Sequence, residues 1–196
     1  MKKKLVTTFL LLFSLCYGYS DNLEVLISPE EIAMKIKEVA GKINEDYCDK
    51  PLTIVMVMKG AVCVTADLIR HIDLPFKLEY LKASSYGYNG MTSGQLTIQN
   101  WDTLEIEGRD VLVVDDIFET GKTMLGILSK LQEKNPKSIK TLLLLVKDIP
   151  RAHSYQPDYV LFEIPDRFVV GYGLDYKELY RGLPGVFAFI HDTPPL

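Results

Sequence analysis

Continuous apolar runs of strand length alternate along this chain with stretches whose apolar residues recur at helical spacing. LTIVMVM (Leu52 to Met58), VLVV (Val111 to Val114) and TLLLLV (Thr141 to Val146) are unbroken, as strands buried on both faces are. Leu23 to Ile27, Phe76 to Ala83, Val160 to Ile164 and Val186 to Ile190 fit further strands, and Gln95 to Asn100 alternates like a short arm. Ser28-Pro29-Glu30-Glu31 joins an N-cap residue, a proline at the first helical position and an acidic third residue. The helix it starts is predicted to bury Ile32, Ile36, Val39 and Ala40, and to stop at Gly41. Ala61 to Arg70 and Lys122 to Gln132 read as two more helices. Strands separated by helices predict an α/β fold, a mostly parallel central sheet flanked by helices, in one domain over residues 21–196.

Two segments break this pattern. SSYGYNGMTSG (Ser84 to Gly94) has three glycines and no apolar period, and reads as a mobile loop. The first 20 residues, MKKKLVTTFLLLFSLCYGYS, have a basic start and an apolar run from Leu5 to about Leu15. That is the shape of a secretory signal, although no small-residue cleavage site follows. The run is short for a membrane span. An upstream extension or a misassigned start is the other reading, and the segment is set aside from the fold.

Composition narrows the class. The chain is 47% hydrophobic and 24% charged, with a formal net charge of −4. A nucleic-acid binder is expected to be basic, so no nucleic-acid partner is expected. The three cysteines, Cys16, Cys48 and Cys63, are widely spaced and form no zinc-binding pair. Free thiols suit a reducing compartment.

The candidate chemistry gathers in VLVVDDIFETGKT. Ligands of open α/β sheets lie at the carboxyl ends of strands, where Asp115 and Asp116 are predicted to stand. Glu119, Thr120, Gly121, Lys122 and Thr123 then form a turn into a helix, whose first N–H groups and threonine hydroxyls suit a phosphate. A nucleotide-triphosphate loop would need glycine at position 116, where the Asp116 carboxylate would repel the phosphates instead. Two acids beside one phosphate suggest a sugar phosphate, with carboxylates accepting from ribose hydroxyls or helping to hold Mg²⁺.

This stretch resembles the phosphoribosyl-pyrophosphate motif of type I phosphoribosyltransferases. MKGA (Met58 to Ala61), ASSYG (Ala83 to Gly87), LLVKDIPR (Leu144 to Arg151) and FEIPDRFVVGYGLDY (Phe162 to Tyr176) resemble the 6-oxopurine, hypoxanthine-guanine branch, in the expected order. The resemblance implies that fold, with a small hood and a flexible lid loop. It implies transfer of a 5-phosphoribosyl group from its pyrophosphate to N9 of hypoxanthine, with guanine as a further substrate. Lys59, Gly60 and Arg181 would bind pyrophosphate. Asp115 and Asp116 would hold ribose and Mg²⁺, and Thr120, Gly121, Lys122 and Thr123 the 5-phosphate. Lys147 would meet the purine O6, Phe168 would stack on the base, Val169 would read its edge, and Asp175 would hold metal beside the purine. Ser85 and Tyr86 would lie in the lid.

Glu119 stands where the family usually has the aspartate that takes the purine N7 proton, and it is the candidate general base. Its carboxylate is one methylene farther from the backbone, and a misplacement of about 1 Å costs roughly a hundredfold in rate. Asp115 stands where glutamate is common, and Arg167 where lysine is frequent. A xanthine-preferring transferase and a non-catalytic sensor on the same fold are the competing readings. The substrates place the enzyme in the cytoplasm, since the donor is an intracellular metabolite, with export the lesser alternative. The family implies a homodimer or homotetramer, and no membrane contact for the folded domain.

Overall fold

A computed structural model describes residues 22–84 and 97–190. The leader and the lid residues Ser85 and Tyr86 lie outside them. Strand β1 (Leu23–Ile27) leads into helix α1 (Pro29–Asp46), which is followed by β2 (Leu52–Met58) and α2 (Val62–Leu68). Next come β3 (Phe76–Ser84), β4 (Thr97–Gln99), β5 (Asp110–Phe118) and α3 (Lys122–Gln132). The chain ends its described course through β6 (Ser138–Lys147), β7 (Tyr159–Ile164), β8 (Val169–Val170) and β9 (Val186–Phe189).

The main sheet has the order β4-β3-β2-β5-β6-β7, parallel except for the antiparallel β3–β4 pair. Side-chain alternation along β5 divides the core. Leu112 and Val114 join Ile32, Ile36 and Ile43 of α1 and Val64 of α2 on one face. Val111 and Val113 join Met124, Ile127 and Leu131 of α3 on the other. The sheet is therefore flanked by helices on both faces, as the unbroken apolar strands predict.

The capping box forms as expected. The Ser28 N–H donates to Glu31 Oε2 at 2.8 Å, and the Glu31 N–H donates to Ser28 Oγ at 3.2 Å. Gly41 does not stop the helix, which continues to Asp46. An exposed glycine costs a helix about 1 kcal/mol. Burying an isoleucine returns roughly 1.5–3 kcal/mol, and the next turn carries Ile43, which is fully buried. At the other end of the scale, α2 is shorter than predicted because its last turn tightens into a 3₁₀ turn, Ile69–His71.

Two strands differ from expectation in ways that matter for the site. The apolar run Val186 to Ile190 does not extend the main sheet. As β9 it lies between β1 and β8 in a separate antiparallel sheet of three strands, the hood. The run's length and apolarity mark a buried strand without saying which sheet receives it. The predicted strand Val111 to Val114 runs on to Phe118, so Asp115 and Asp116 lie inside it rather than past its end. The reason is asymmetric pairing. Strand β2 leaves β5 after Met56↔Val114, whereas β6 accompanies it to Phe118↔Val146. Beyond Val114 one edge of β5 is therefore open, and the acids stand on that edge.

Candidate active site

The open edge of β5 forms one wall of a cleft of about 350 Å³. Residues 115–124 line it from β5 into α3, and Lys59 and Gly60 line it from the loop after β2. Asp175 and Arg181 close it from the segment after β8. Eleven of the sequence-predicted site residues thus meet in one cavity, from three separate stretches of chain: Lys59, Gly60, Asp115, Asp116, Glu119, Thr120, Gly121, Lys122, Thr123, Asp175 and Arg181.

The carboxylates are held by backbone. Asp115 Oδ1 accepts from the Asp116 N–H at 3.0 Å, and Asp116 Oδ1 accepts from the Ile117 N–H at 2.8 Å. Burial raises the Asp115 pKa well above the usual carboxylate range, and the charge of Asp116 raises it further. Burial raises Asp116 as well. Two such acids side by side call for a partner that supplies positive charge or hydroxyl donors. Ribose hydroxyls and a hard cation both qualify. Among the described residues no cluster of three or more His, Cys, Asp or Glu could hold a metal. Mg²⁺ fits that donor set, because it takes one or two carboxylates and completes its shell with water and phosphate oxygens.

The phosphate turn is shaped by glycine. Gly121 is the N-cap of α3 at φ +74°, and no side chain caps the helix there. The first N–H groups of α3 are left for an anion, and the helix dipole favours one. A Cβ at Gly121 would lie 2.2 Å from His153 Nε2 and 2.8 Å from Phe118 Cζ. The His153 Nε2–H donates to the Thr120 carbonyl at 3.0 Å, and the ring packs edge-on against Phe118 with centroids 5.8 Å apart. Arg151 Nε donates to the Glu119 carbonyl at 2.8 Å. Neither His153 nor Arg151 was singled out as a site residue by sequence, although Arg151 ends the motif that contains Lys147 and His153 lies two residues past it. Gly60 has a similar constraint, since a Cβ there would fall 1.6 Å from Asp116 Oδ2. Gly173, at φ +102°, packs against the Gly60 carbonyl. The Met58–Lys59 peptide is cis.

Charged side chains complete the opposite wall. Lys59 Nζ lies 2.9 Å from Glu178 Oε2. Arg181 Nη2 lies 2.7 Å from Asp175 Oδ1 and 3.1 Å from Glu178 Oε2, while its Nη1 donates to the Gly173 carbonyl at 2.7 Å.

Among the described residues, the predicted Lys147, Phe168 and Val169 lie outside the lining of this cleft. Lys147 reaches it through Glu119, whose Oε1 is 2.7 Å from Lys147 Nζ; Asp166 Oδ1 is 3.1 Å away on the other side. Burial pulls the Lys147 ammonium down, but its hydrogen bonds to Glu119 and Asp166 outweigh that and hold it above the usual lysine range. Phe168 is 37% exposed, and it meets Tyr176 edge-on at 5.7 Å and Phe189 at 5.8 Å. Val169 is buried at the start of β8. Lys147, Phe168 and Val169 are not in direct contact with the carboxylate pair. Glu119 links Lys147 to the cleft.

Known proteins resemble this chain in sequence and fold. A phosphoribosyl transferase domain profile matches residues 24–177. The chain is 43% identical over 162 residues to the hypoxanthine-guanine phosphoribosyltransferase of Bacillus subtilis strain 168, covering 82% of this chain and 89% of that one. It is 41% identical over 166 residues to the hypoxanthine-guanine phosphoribosyltransferase of Aquifex aeolicus strain VF5, covering 84% and 93%. A crystal structure of a hypoxanthine phosphoribosyltransferase from Staphylococcus aureus superimposes with a TM-score of 0.81 at 38% identity, covering 87% of this chain and 93% of that one.

Proposed function

The chain belongs to the phosphoribosyltransferase family, and from that premise we propose that it is a purine-salvage enzyme of the hypoxanthine-guanine type. It transfers 5-phosphoribosyl from phosphoribosyl pyrophosphate to N9 of hypoxanthine and guanine, releasing pyrophosphate. The observation that carries the reading is the cleft that joins a buried acid, Asp115, and its half-buried neighbour Asp116 to an uncapped helix start and three cations, Lys59, Lys122 and Arg181.

Each wall of the cleft has a task in this reaction. The N–H groups at the start of α3, with Thr120 and Thr123, bind the 5-phosphate and fix the sugar. Asp115 and Asp116 accept from the ribose hydroxyls and, with Asp175, hold Mg²⁺. When bound, Mg²⁺ neutralises charge on the pyrophosphate oxygens. Lys59 and Arg181 meet the same group, so that negative charge growing on it as the bond to the sugar breaks is received by positions already set. On the far side the base lies between Phe168 and the sugar, and Val169 reads its edge through backbone. Lys147 donates to O6, and Glu119, 2.7 Å from it, takes the N7 proton as N9 bonds to the sugar. This donor beside an acceptor favours a 6-oxopurine and opposes adenine, whose 6-amino group is itself a donor. Ser85 and Tyr86 would close over the reaction and exclude water.

One folded domain over residues 21–196, a cytoplasmic setting and a homodimeric or homotetrameric state are parts of the same proposal. Among the described residues, no helix is long and apolar enough to cross a membrane. The test is nucleotide formation from the donor with Mg²⁺, offered hypoxanthine, guanine, xanthine and adenine in turn. Hypoxanthine and guanine should be consumed and adenine spared, and Glu119→Gln should lower the rate by about a hundredfold or more. Donor binding without transfer to any purine would sink the assignment.

A further inference from the structure

Glu178 has no part in the roles assigned above, yet it touches three of their members, Asp175, Lys59 and Arg181. It sits in a turn with φ +66°, after Lys177 at +52°. Asp175 pins that turn, its Oδ2 accepting from the Glu178 N–H at 2.8 Å. From there the carboxylate reaches across 119 residues of sequence to Lys59 Nζ, at 3.0 Å and 2.9 Å from its two oxygens. Oε2 also lies 3.1 Å from Arg181 Nη2. The hydrogen bonds from Lys59, and next those from Arg181, hold the carboxyl below the usual carboxylate range. The Glu178 side chain is 65% exposed and that of Lys59 48%, so no packing requirement brings them together. Left-handed backbone at a non-glycine residue persists where its surroundings hold it, and here the surroundings are the acids and cations of the cleft itself.

We propose that Glu178 is a resident competitor for the pyrophosphate subsite, its carboxylate engaging Lys59 and Arg181 until the diphosphate of the donor or of the product displaces it. The inference rests on the pyrophosphate role proposed for those two cations. Competition of this kind keeps the cations in place between turnovers, weakens diphosphate binding and hastens its release. A nucleoside monophosphate does not carry that group and escapes the competition. Two exposed ion pairs are weak, so the effect is expected to be about three- to tenfold.

The experiment is a calorimetric titration of inorganic pyrophosphate, with Mg²⁺ present, into the full chain and into Glu178→Gln, with inosine monophosphate titrated in parallel. Glu178→Gln should bind pyrophosphate about three- to tenfold more tightly and inosine monophosphate equally well. Glu178→Asp keeps the charge but shortens its reach, and should fall between the two. It reads the same competition if the glutamine variant does not fold. Pyrophosphate binding that is unchanged or weaker in both variants overturns the inference and makes Glu178 a brace for the two cations. A wild-type chain that binds inosine monophosphate but not pyrophosphate removes the subsite itself, and this inference with it.

Discussion

The two walls of the cleft are built on different principles. The wall from β5 into α3 is made of backbone. Its acids are fixed by N–H groups of the next residue, and its turn is allowed by Gly121. Its support is a sheet paired with β6 as far as Val146. The facing wall is made of long side chains that meet through charge, Lys59 with Glu178 and Arg181 with Asp175 and Glu178. A wall of backbone is preorganised for groups that stay bound through a reaction, which in the proposed function are the sugar and its phosphate. A wall of side chains can rearrange, and in the proposed function it faces the group that leaves. The difference predicts that substitutions that move the backbone of the first wall cost both stability and rate, and that those in the second mainly shift affinity.

The sharpest break of that contrast is at the glycines. Gly60→Ala would drive a methyl into the Asp116 carboxylate, with 1.6 Å between them before relaxation. Loss of activity by about a hundredfold or more is expected from the displaced acid. Gly121→Ala adds a left-handed backbone penalty of roughly 1–3 kcal/mol to its contact with His153 and should lower the thermal midpoint by several degrees. Glu178→Gln, in the facing wall, should stay within about 0.5 kcal/mol of wild type. Equal melting curves for Gly121→Ala and Glu178→Gln would erase the distinction between the walls.

Next in size is Asp115→Asn. Burial and the Asp116 charge raise the Asp115 pKa in the folded protein, so the sign runs against ionisation. The stabilising contribution is fully present below the unfolded carboxylate value. It is lost as the pH rises through the raised folded value. At neutral pH the pair therefore opposes folding, and the asparagine should raise the midpoint by roughly 3 °C or more, given about 2–4 °C per kcal/mol for a chain of this size. The gain should vanish near pH 3. Transfer should fall by about a hundredfold, because the charge that burdens the fold is the charge that the proposed ribose and metal contacts use. A midpoint that falls at pH 7 would show that Asp115 stabilises the wall instead.

The same contrast explains what was legible in the sequence. The acid pair, the turn and the helix start are contiguous from Asp115 to Thr123, so adjacency in sequence became adjacency in space. The unbroken apolar strands likewise announced a sheet covered on both faces. The side-chain wall was only half visible. Lys59, Asp175 and Arg181 came from resemblance, while Glu178 passed unnoticed because an exposed glutamate in a polar turn carries no pattern. The link from Glu119 to Lys147 crosses from β5 to β6, and nothing local encodes it. Boundaries failed where a partner outweighed propensity: Ile43 carried α1 past Gly41, and β6 carried β5 past its two acids. The hood strand β9 was visible as a strand, but its sheet depends on β1, far away in the chain.

The smallest effect is expected at His153, the side chain that underlies the backbone wall. Its Nε2–H donates to the Thr120 carbonyl, and its Nδ1 is buried with no hydrogen-bond partner among the described residues. It touches none of the atoms proposed to react, so it acts by positioning the turn. His153→Ala should raise the KM for the donor by about three- to tenfold, as expected for loss of one hydrogen bond of about 1 kcal/mol, and leave kcat nearly unchanged. The double variant separates support from collision. Of the two nearest contacts of a Cβ at Gly121, His153→Ala removes the one at 2.2 Å and leaves Phe118 Cζ at 2.8 Å. Gly121→Ala should therefore be less damaging in the His153→Ala background than alone, with a coupling of about 0.5–3 kcal/mol in a double-mutant cycle. Simple additivity would mean that the left-handed backbone at Gly121, rather than the imidazole packed against it, is what excludes a side chain there.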